Sequence, residues 1–418
     1  MRVVRVVQVG DIHYSDRENF ESPVDSKDPG FPAALRESIG TAPLQAVFRS
    51  LSHVLETGSI DLVAFMGDFT TRGDRAVLEE CANYIRGLFP DPWEQDQVPH
   101  CKLIIGNHDI DRRLDPEANY RFEDINAVLS GAGFKEASIL APCETVLNGD
   151  VPAEVRVFGI NSCRGCGQLR LLGSIVEKHA GPAIRELIKA GGSSPEMDEL
   201  YEQIDTPAID EHTMSLLTTS LSHLGESVMP VVCAHHNLLP QAMPRIAPYA
   251  ELINGGAVRT SLLNINRPLI YLHGHLHTSP IEVVRVPDRA RSAIISISAP
   301  LFRDGYNVIE IAFNQEGVPL GCNVVFHRLD GSQCRIANSH IIPAWTAAEG
   351  LHLATERARE VMRVLEPDTV VQRSDLLTQV NCPAEELDGA LAELRWLGMI
   401  EIPNHERPCI HWRVTRSI

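Results

Sequence analysis

The chain has 418 residues, of which 44% are hydrophobic, and a formal net charge of −18 at pH 7. This composition excludes a mainly disordered protein, and the acidity argues against broad attraction to nucleic acid or to an anionic membrane surface. No run approaches the roughly 18 apolar residues of a membrane span. The ten cysteines are scattered without a tight disulfide framework, so we expect a cytoplasmic protein with no membrane partner.

The first part of the chain alternates strand-like and helix-like segments. The runs VVRVVQVG, DLVAFMGD and KLIIGNHD are apolar, and PLQAVFRSLSHVLETG and AVLEECANYIRGLF have helical periodicity. This order is typical of βαβ units, whose polar chemistry collects at the carboxyl ends of the strands. Further strands are predicted in RVFGINS, VMPVVCAHH, PLIYLHGH, SAIISIS and NVIEIAF. We therefore expect an α/β fold, a two-layer β-sandwich flanked by helices.

Residues 163–207 interrupt this alternation with a helical segment that is punctuated by glycine and serine. We interpret the segment as an insertion near the site and as a candidate cap. It contains Cys163 and Cys166, which form one CxxC motif. Because no second pair accompanies them, ordinary thiols are favoured over a zinc site.

The pattern changes after Asp330. Residues 331–350 are predicted to be a linker, and residues 351–418 contain three helix-like segments followed by two strands around a turn. That order predicts a small winged-helix-like α+β domain after a first domain of residues 1–330. The third helix carries four acidic residues against the single basic Arg395, which favours a protein partner or self-association over the reading of DNA.

Five short polar motifs follow apolar runs. They are Asp11-Ile12-His13, Gly67-Asp68, Gly106-Asn107-His108-Asp109, His235-His236 and Gly274-His275-Leu276-His277. A DxH or a histidine pair occurs easily by chance, whereas GNHD and GHxH are more specific. Together they supply carboxylate, carboxamide and imidazole groups, which suit Mn²⁺, Fe or Zn²⁺. The ordered set predicts a metal site at one sheet edge.

In this order the motifs resemble those of the calcineurin-like metallophosphoesterase superfamily, and the resemblance covers roughly residues 1–330. It implies two divalent metal ions, which together can lower the pKa of a water and clamp the oxygens of a phosphate. The ligands that it implies are Asp11, His13 and His277 for one ion, Asn107, His235 and His275 for the other, and Asp68 as a bridge between them.

The resemblance also implies a catalytic role for His108, which would stabilise the transition state or protonate the leaving oxygen, with Asp109 orienting it. His236 is an alternative to His235 as a ligand, although the family pattern matches His235. Alternation along an extended segment would send His273 to the same side as the two histidines of GHxH, but it matches no ligand position and is predicted to pack beside the site.

The implied function is that of a metal-dependent phosphoesterase, most simply a phosphodiesterase that acts on a nucleotide or another diester. GNHD in place of GNHE leans away from the protein Ser/Thr phosphatase branch. A nuclease of the DNA-repair type is an alternative, against which the acidic charge counts. A regulatory or scaffold protein with a structural metal site is another, and the complete ligand set argues against it. Arg72 either contacts phosphate or is solvated.

Overall fold

The structure is a computed structural model. It describes residues 1–14, 42–71, 73–89, 99–111, 120–134, 141–148, 153–168, 171, 173–183, 186, 206–239, 252–278, 280–331, 333–367, 369–405 and 407–417. Arg72 and most of the predicted insertion at 163–207 lie outside the described residues, so the prediction of a cap there stays untested.

Two sheets form the larger part of the described chain. The first contains β1 (Arg2–Val9), β2 (Leu62–Phe65), β3 (His100–Leu103), β10 (Gly305–Phe313), β11 (Pro319–Asp330) and β12 (Gln333–Pro343), in the order β12-β11-β10-β1-β2-β3. The second contains β4 (Cys143–Asn148), β5 (Glu154–Gly159), β6 (Val228–Cys233), β7 (Pro268–His273), β8 (Ile281–Val286) and β9 (Arg289–Ser298), in the order β4-β5-β6-β7-β9-β8.

The strands that precede the polar motifs are parallel to their neighbours. β2 pairs in parallel with β1 and with β3 in the first sheet, and β6 pairs in parallel with β5 and with β7 in the second. Because the carboxyl ends of parallel strands lie at one edge of a sheet, each sheet presents its motifs together. The predicted α/β fold with two sheet layers is confirmed.

The alternation of side chains along β1 explains the layers. Val4 and Val6 join the core between the two sheets, whereas Val7 and Val9 face the opposite side. That opposite face is covered by α1 (Ala42–Thr57), α2 (Arg75–Arg86) and α3 (Tyr120–Gly131). On the second sheet, α5 (Glu211–Ser222) and α6 (Gly255–Leu263) bury residues such as Leu217. A short helix, α4 (Ser174–His179), lies between these groups in the chain.

The C-terminal region combines four helices with a small sheet. The helices are α7 (Ala347–Leu353), α8 (Glu356–Val364), α9 (Arg373–Val380) and α10 (Ala384–Trp396), and the sheet holds β13 (Val370–Gln372), β15 (Arg413–Arg416) and β14 (Ile400–Glu401) in that order. Apolar residues of α8 and α10, such as Val361 and Leu394, belong to the same core cluster as the inward-facing residues of the two large sheets. The C-terminal region is therefore packed onto the sandwich.

Two predictions for this part of the chain are wrong. Residues 333–343, within the segment predicted to be a linker, form β12, which pairs with β11 at the edge of the first sheet. Most β12 side chains are exposed, so the strand lacks the apolar alternation that would have revealed it. The single helix predicted over residues 351–366 is divided, because the side chain of Thr355 caps a new helix by accepting a hydrogen bond from the Ala358 amide.

None of the helices in the described part of the chain combines the length and the apolar character that a membrane span requires.

Candidate metal centre

The predicted ligands come together where strands of both sheets end. Asp11 follows β1, Asp68 follows β2 and Asn107 follows β3, all in the first sheet, whereas His235 follows β6 and His275 follows β7 in the second. Each ligand lies only a few residues after the end of a strand, so the sheet holds its backbone in a defined position. Residues that are far apart in sequence therefore meet at one edge of the sandwich.

One group of donors consists of Asp11, His13, Asp68 and His277, whose ligand atoms all lie within 4.8 Å of one another. Nε2 of His13 lies 3.3 Å from Nε2 of His277. Both carboxylates are buried, whereas His13 is half-buried and His277 is exposed. The group therefore opens to solvent on the side of the two histidines.

A second group of donors lies beside the first. Nε2 of His235 lies 2.9 Å from Oδ1 of Asn107, and nitrogen atoms of His235, His236 and His275 lie within 4.8 Å of one another. The backbone amide of His275 also donates to Oδ1 of Asp11 over 3.0 Å. The structure thus brings the ligands predicted for the second ion together and connects them to the first group.

Asp68 lies between the two groups. Its Oδ2 is 3.9 Å from Nε2 of His13 in the first group and 3.3 Å from Nε2 of His235 in the second. Its Oδ1 accepts a hydrogen bond of 2.9 Å from the backbone amide of His108. Asp68 is thus held by the backbone while it faces donors on both sides.

The backbone at these residues is unusual. His13, Asp68, His275 and His277 have φ values of 47°, 53°, 65° and 57°, in the left-handed region that side chains disfavour. Such conformations cost about 1–3 kcal/mol each and cluster at functional sites. They also show that the extended alternation predicted for residues 273–277 is wrong, because β7 ends at His273 and the chain then turns.

Two glycines make room for the site. A Cβ atom at Gly106 would lie 2.1 Å from Oδ1 of Asp68, and one at Gly67, where φ is 97°, would lie 2.8 Å from Nδ1 of His235. Any side chain at Gly106 would therefore collide with the carboxylate. These contacts explain in physical terms why glycine precedes the polar residue in both GD and GNHD.

The charges of the site fit a cation. Oδ2 of Asp11 and Oδ2 of Asp68 are buried and accept no hydrogen bond within the part of the chain that the structure describes. Burial raises the pKa of Asp11, whereas for Asp68 the neighbouring His235 and His108 outweigh burial and hold its pKa well below the usual range. A divalent ion would supply the partner that these oxygens lack, and the mixture of carboxylate and imidazole suits Mn²⁺, Fe or Zn²⁺.

His108 lies at the rim of the site, in a short 3-10 helix of residues Asn107–Asp109. Its ring centroid is 5.1 Å from that of His13. Nδ1 of His108 donates to the carbonyl of Thr71 over 2.8 Å, and Thr70 Oγ1 donates to the carbonyl of His108 over 2.7 Å. The loop that follows β2 therefore fixes the orientation of the His108 ring.

The hydrogen-bond partners of Asp109 differ from the predicted one, the ring of His108. Its Oδ1 accepts from the Thr70 amide over 3.0 Å and its Oδ2 from the Gly106 amide over 2.9 Å. Burial and the charge of Asp68 raise the pKa of Asp109. The prediction that Asp109 orients the His108 ring is therefore corrected: the Thr71 carbonyl contacts the ring, and Asp109 joins the two loops that follow β2 and β3.

The sequence did not predict the contacts of His236, the residue that follows His235. Nδ1 of His236 lies 2.9 Å from Oγ of Ser162 and 3.9 Å from Sγ of Cys163. His273 is buried at the end of β7, outside the three groups of potential metal ligands found among the described residues, and burial lowers its pKa to about 4. No sequence periodicity connects residues 162–166 with His236, so only the fold reveals that contact.

A family comparison agrees with this geometry. Residues 4–279 match the model of the calcineurin-like phosphoesterases. The chain belongs to the calcineurin-like phosphoesterase family. The match covers the strands and loops that carry every predicted ligand, and it implies a metal-dependent hydrolase of phosphoesters. A comparison with curated protein sequences gives no match.

Several solved structures resemble this member of the family. One is GAP50, described as the anchor in the inner membrane complex of Plasmodium, with 10% identity, coverage of 83% of this chain and 90% of that chain, and a TM-score of 0.43. Another is the NAD nucleotidase of Haemophilus influenzae, with 11% identity, coverage of 82% and 59%, and a TM-score of 0.42. The chain thus spans only 59% of the Haemophilus protein.

A third is the 5'-nucleotidase precursor of Thermus thermophilus, with 14% identity, coverage of 99% and 72%, and a TM-score of 0.40. All three TM-scores are below 0.5, so the family assignment depends on the match over residues 4–279.

Proposed function

We propose that the protein is a binuclear metal-dependent phosphoesterase that hydrolyses phosphodiesters. The observation that supports this most is the position of Asp68, whose Oδ2 is 3.3 Å from His235 and 3.9 Å from His13. A carboxylate that faces two groups of donors is what a ligand shared by two cations requires. In the same proposal Mn²⁺, Fe and Zn²⁺ are the suitable ions.

The proposed ligands are Asp11, His13 and His277 for one ion, Asn107, His235 and His275 for the other, and Asp68 for both. Bound there, two divalent ions would polarise the phosphate ester and lower the pKa of a water near it. The chain itself supplies the rigid frame, because these ligands lie within a few residues of buried strands. The exposed side of His277 and the half-buried His13 mark the direction from which the ester would enter.

His108 is the proposed group for proton transfer. Its ring lies beside His13, and the Thr71 carbonyl holds it in one orientation through Nδ1. In the protonated form it would stabilise charge on the ester oxygens and donate a proton to the leaving oxygen. Asp109 would act as a positioning residue, since its carboxylate joins the loops that carry His108 and Asp68.

Small diesters are the proposed substrates, with nucleotides among them. The GNHD motif leans away from protein phosphatases, and the net charge of −18 disfavours long polynucleotides, so a repair-type nuclease ranks second. A scaffold protein with a structural metal site ranks lower, because a purely structural site has no need for the oriented His108.

For the C-terminal region we propose a winged-helix-like module that supports the sandwich. Oε1 of Glu393 on α10 accepts hydrogen bonds from Nδ2 of Asn314 and from the backbone amide of Thr355. Two further acids of α10 form ion pairs, Glu386 with Arg357 and Asp388 with Arg373. Three of the four acidic side chains of α10 are therefore engaged within the chain, and a protein partner or a second copy remains a proposal for the exposed surface of the module.

Hydrolysis of a generic aryl phosphodiester and the matching monoester in Mn²⁺, with and without chelator, tests the enzyme proposal. We expect the wild type to hydrolyse the diester faster, Asp68→Ala and His108→Ala to be strongly impaired, and chelator to stop the reaction. His53→Ala, which alters an exposed histidine on α1, serves as the matched control and should keep wild-type activity. A wild type that is inert on both esters, on nucleotides and on DNA would overturn the proposal.

A further inference from the structure

Two cysteines and a histidine converge beside the candidate metal centre. Sγ of Cys163, Sγ of Cys166 and a ring nitrogen of His236 lie within 4.8 Å of one another, and all three residues are buried. Neither cysteine forms a disulfide. We propose that these three side chains form a further metal site, for a thiophilic divalent ion such as Zn²⁺, distinct from the two sites that share Asp68.

The distances suit a tetrahedral ion. With Zn–S near 2.3 Å and Zn–N near 2.0 Å, a tetrahedral centre separates sulfur from nitrogen by about 3.5 Å. Sγ of Cys163 lies 3.9 Å from Nδ1 of His236, so a shift of a few tenths of an ångström would complete the geometry. Oγ of Ser162, 2.9 Å from the same nitrogen, or a water would supply the fourth ligand.

The loop that carries the two thiols is fixed from outside. The buried guanidinium of Arg121 on α3 donates to the carbonyl of Cys166 over 2.8 Å and to the carbonyl of Arg164 over 2.7 Å. Within the loop, the Cys166 amide donates to the carbonyl of Cys163, and the Cys163 amide donates to Oδ1 of Asn161. The two sulfur atoms are therefore held side by side before any ion binds, which reduces the ordering cost of binding.

The third donor changes the interpretation of the CxxC motif. From sequence, one CxxC without a second pair favoured ordinary thiols, but the fold brings a histidine from the loop after β6 to the two sulfurs. The ring of His236 lies 4.8 Å from that of His235 and 4.5 Å from that of His275, between centroids. An ion on the thiol side of His236 would tie the loop at residues 163–166 to the segment that carries the proposed ligand His235.

Cobalt substitution of the full-length protein tests the site without any measurement of hydrolysis. Reduced, metal-free wild type is titrated with Co²⁺, and we expect a thiolate-to-cobalt charge-transfer band in the near ultraviolet. Cys163→Ser/Cys166→Ser should lose this band and hold one Zn²⁺ fewer per chain. Cys382→Ser/Cys409→Ser, which removes two thiols from the C-terminal region, is the matched control. It should keep both the charge-transfer band and the Zn²⁺ content of the wild type. Asp68→Asn should also keep the band.

Absence of a thiolate band in the folded wild type would overturn the proposal, and so would a band that persists in Cys163→Ser/Cys166→Ser. If that double variant fails to fold, Cys166→His retains a metal-binding group, and we expect it to bind the ion with a weaker charge-transfer band. An unchanged band in Cys166→His would contradict the assignment of this cysteine. These outcomes are independent of phosphoesterase activity, so failure of either proposal is recognisable by itself.

Discussion

Buried carboxylates occur in two regions of the molecule, and their surroundings differ. In the C-terminal region, Glu393 is 4% exposed, and both of its oxygens accept hydrogen bonds, Oε1 from Asn314 and Thr355 and Oε2 from the hydroxyl of Thr355. At the strand ends, Asp11 and Asp68 are 0% and 1% exposed, yet Oδ2 of each accepts no hydrogen bond from any residue that the structure describes. A buried carboxylate oxygen without a hydrogen bond is costly. The difference therefore distinguishes Glu393, which joins two parts of the fold, from Asp11 and Asp68, each of which keeps one oxygen suited to a cation.

The backbone shows the same contrast. Around the candidate metal centre, four proposed ligands have left-handed φ values. In the described C-terminal residues the only such residue apart from glycine is Asn381, which ends α9, a position where asparagine commonly adopts this conformation. The left-handed residues at the strand ends do not terminate a helix, so their strain is better explained by a role in the function of the site.

The largest effect is expected for Asp68→Asn, which removes the charge but keeps the shape. We expect hydrolysis to fall by more than roughly 100-fold, since even groups that merely orient a metal ligand are worth 10–100-fold. Stability of the metal-free protein at neutral pH should fall, because His235 and His108 hold the pKa of Asp68 well below its usual range despite its burial, so its charged form stabilises the fold. Steady-state kinetics measures hydrolysis, and chemical denaturation in the presence of chelator measures the stability of the metal-free protein. Wild-type hydrolysis in a folded Asp68→Asn variant would contradict the role of this carboxylate as a shared ligand.

A somewhat smaller effect is expected for His108→Asn. Loss of a group that transfers a proton should lower kcat by roughly 100-fold, at the lower end of the range for general acids, while the metal content stays that of the wild type. Metal analysis beside the kinetics checks this. Loss of metal together with activity would mean that His108 helps to form the metal centre rather than to move a proton.

Asp109→Asn sharpens the comparison, because Asp109 lies near the site but resembles Glu393 in having both oxygens hydrogen-bonded. We expect a loss of about 1–3 kcal/mol in the free energy of unfolding and a reduction in kcat of about 10-fold, through displaced loops. Denaturation and kinetics of the same preparation are the measurements. If stability were unchanged and activity abolished, Asp109 would have a direct catalytic role.

The smallest effect on activity is expected for Glu393→Gln. The amide cannot accept all the hydrogen bonds that reach the carboxylate, so the free energy of unfolding should fall by about 1–3 kcal/mol. Hydrolysis should stay within about twofold of the wild type, because Glu393 lies in the C-terminal region. Thermal denaturation and a rate assay at a temperature below the transition are sufficient. A large loss of activity in the folded variant would show that the C-terminal region acts on the site.

The sequence was most informative where chemistry follows a buried strand. Asp11, Asp68 and Asn107 each lie a few residues after an apolar run, so their meeting at a sheet edge followed from the order of the elements, and the family assignment is confirmed. Metal binding by these residues stays a prediction. The edge strands β4, β8 and β12 were missed, since strands with partly or fully exposed side chains carry little apolar periodicity. The strand β11, which is mostly buried between β10 and β12, was missed as well.

Other features depend on contacts that no local pattern encodes. The left-handed turns at His275 and His277 break the extended alternation expected there, and the hydrogen bonds of Asp109 come from backbone groups whose positions only the fold determines. The approach of Cys163 to His236 joins segments 73 residues apart in sequence. Local propensity predicts elements and their order, whereas such pairings arise from tertiary packing.

The most direct test is electron paramagnetic resonance of the Mn²⁺-loaded, full-length protein. Because Asp68 faces both groups of donors, we predict a spin-coupled Mn²⁺ pair in the wild type and in Glu393→Gln, and loss of the coupled signal in Asp68→Asn. A wild type that gives only the signal of isolated Mn²⁺, or a coupled signal that survives in Asp68→Asn, would contradict a centre built on Asp68.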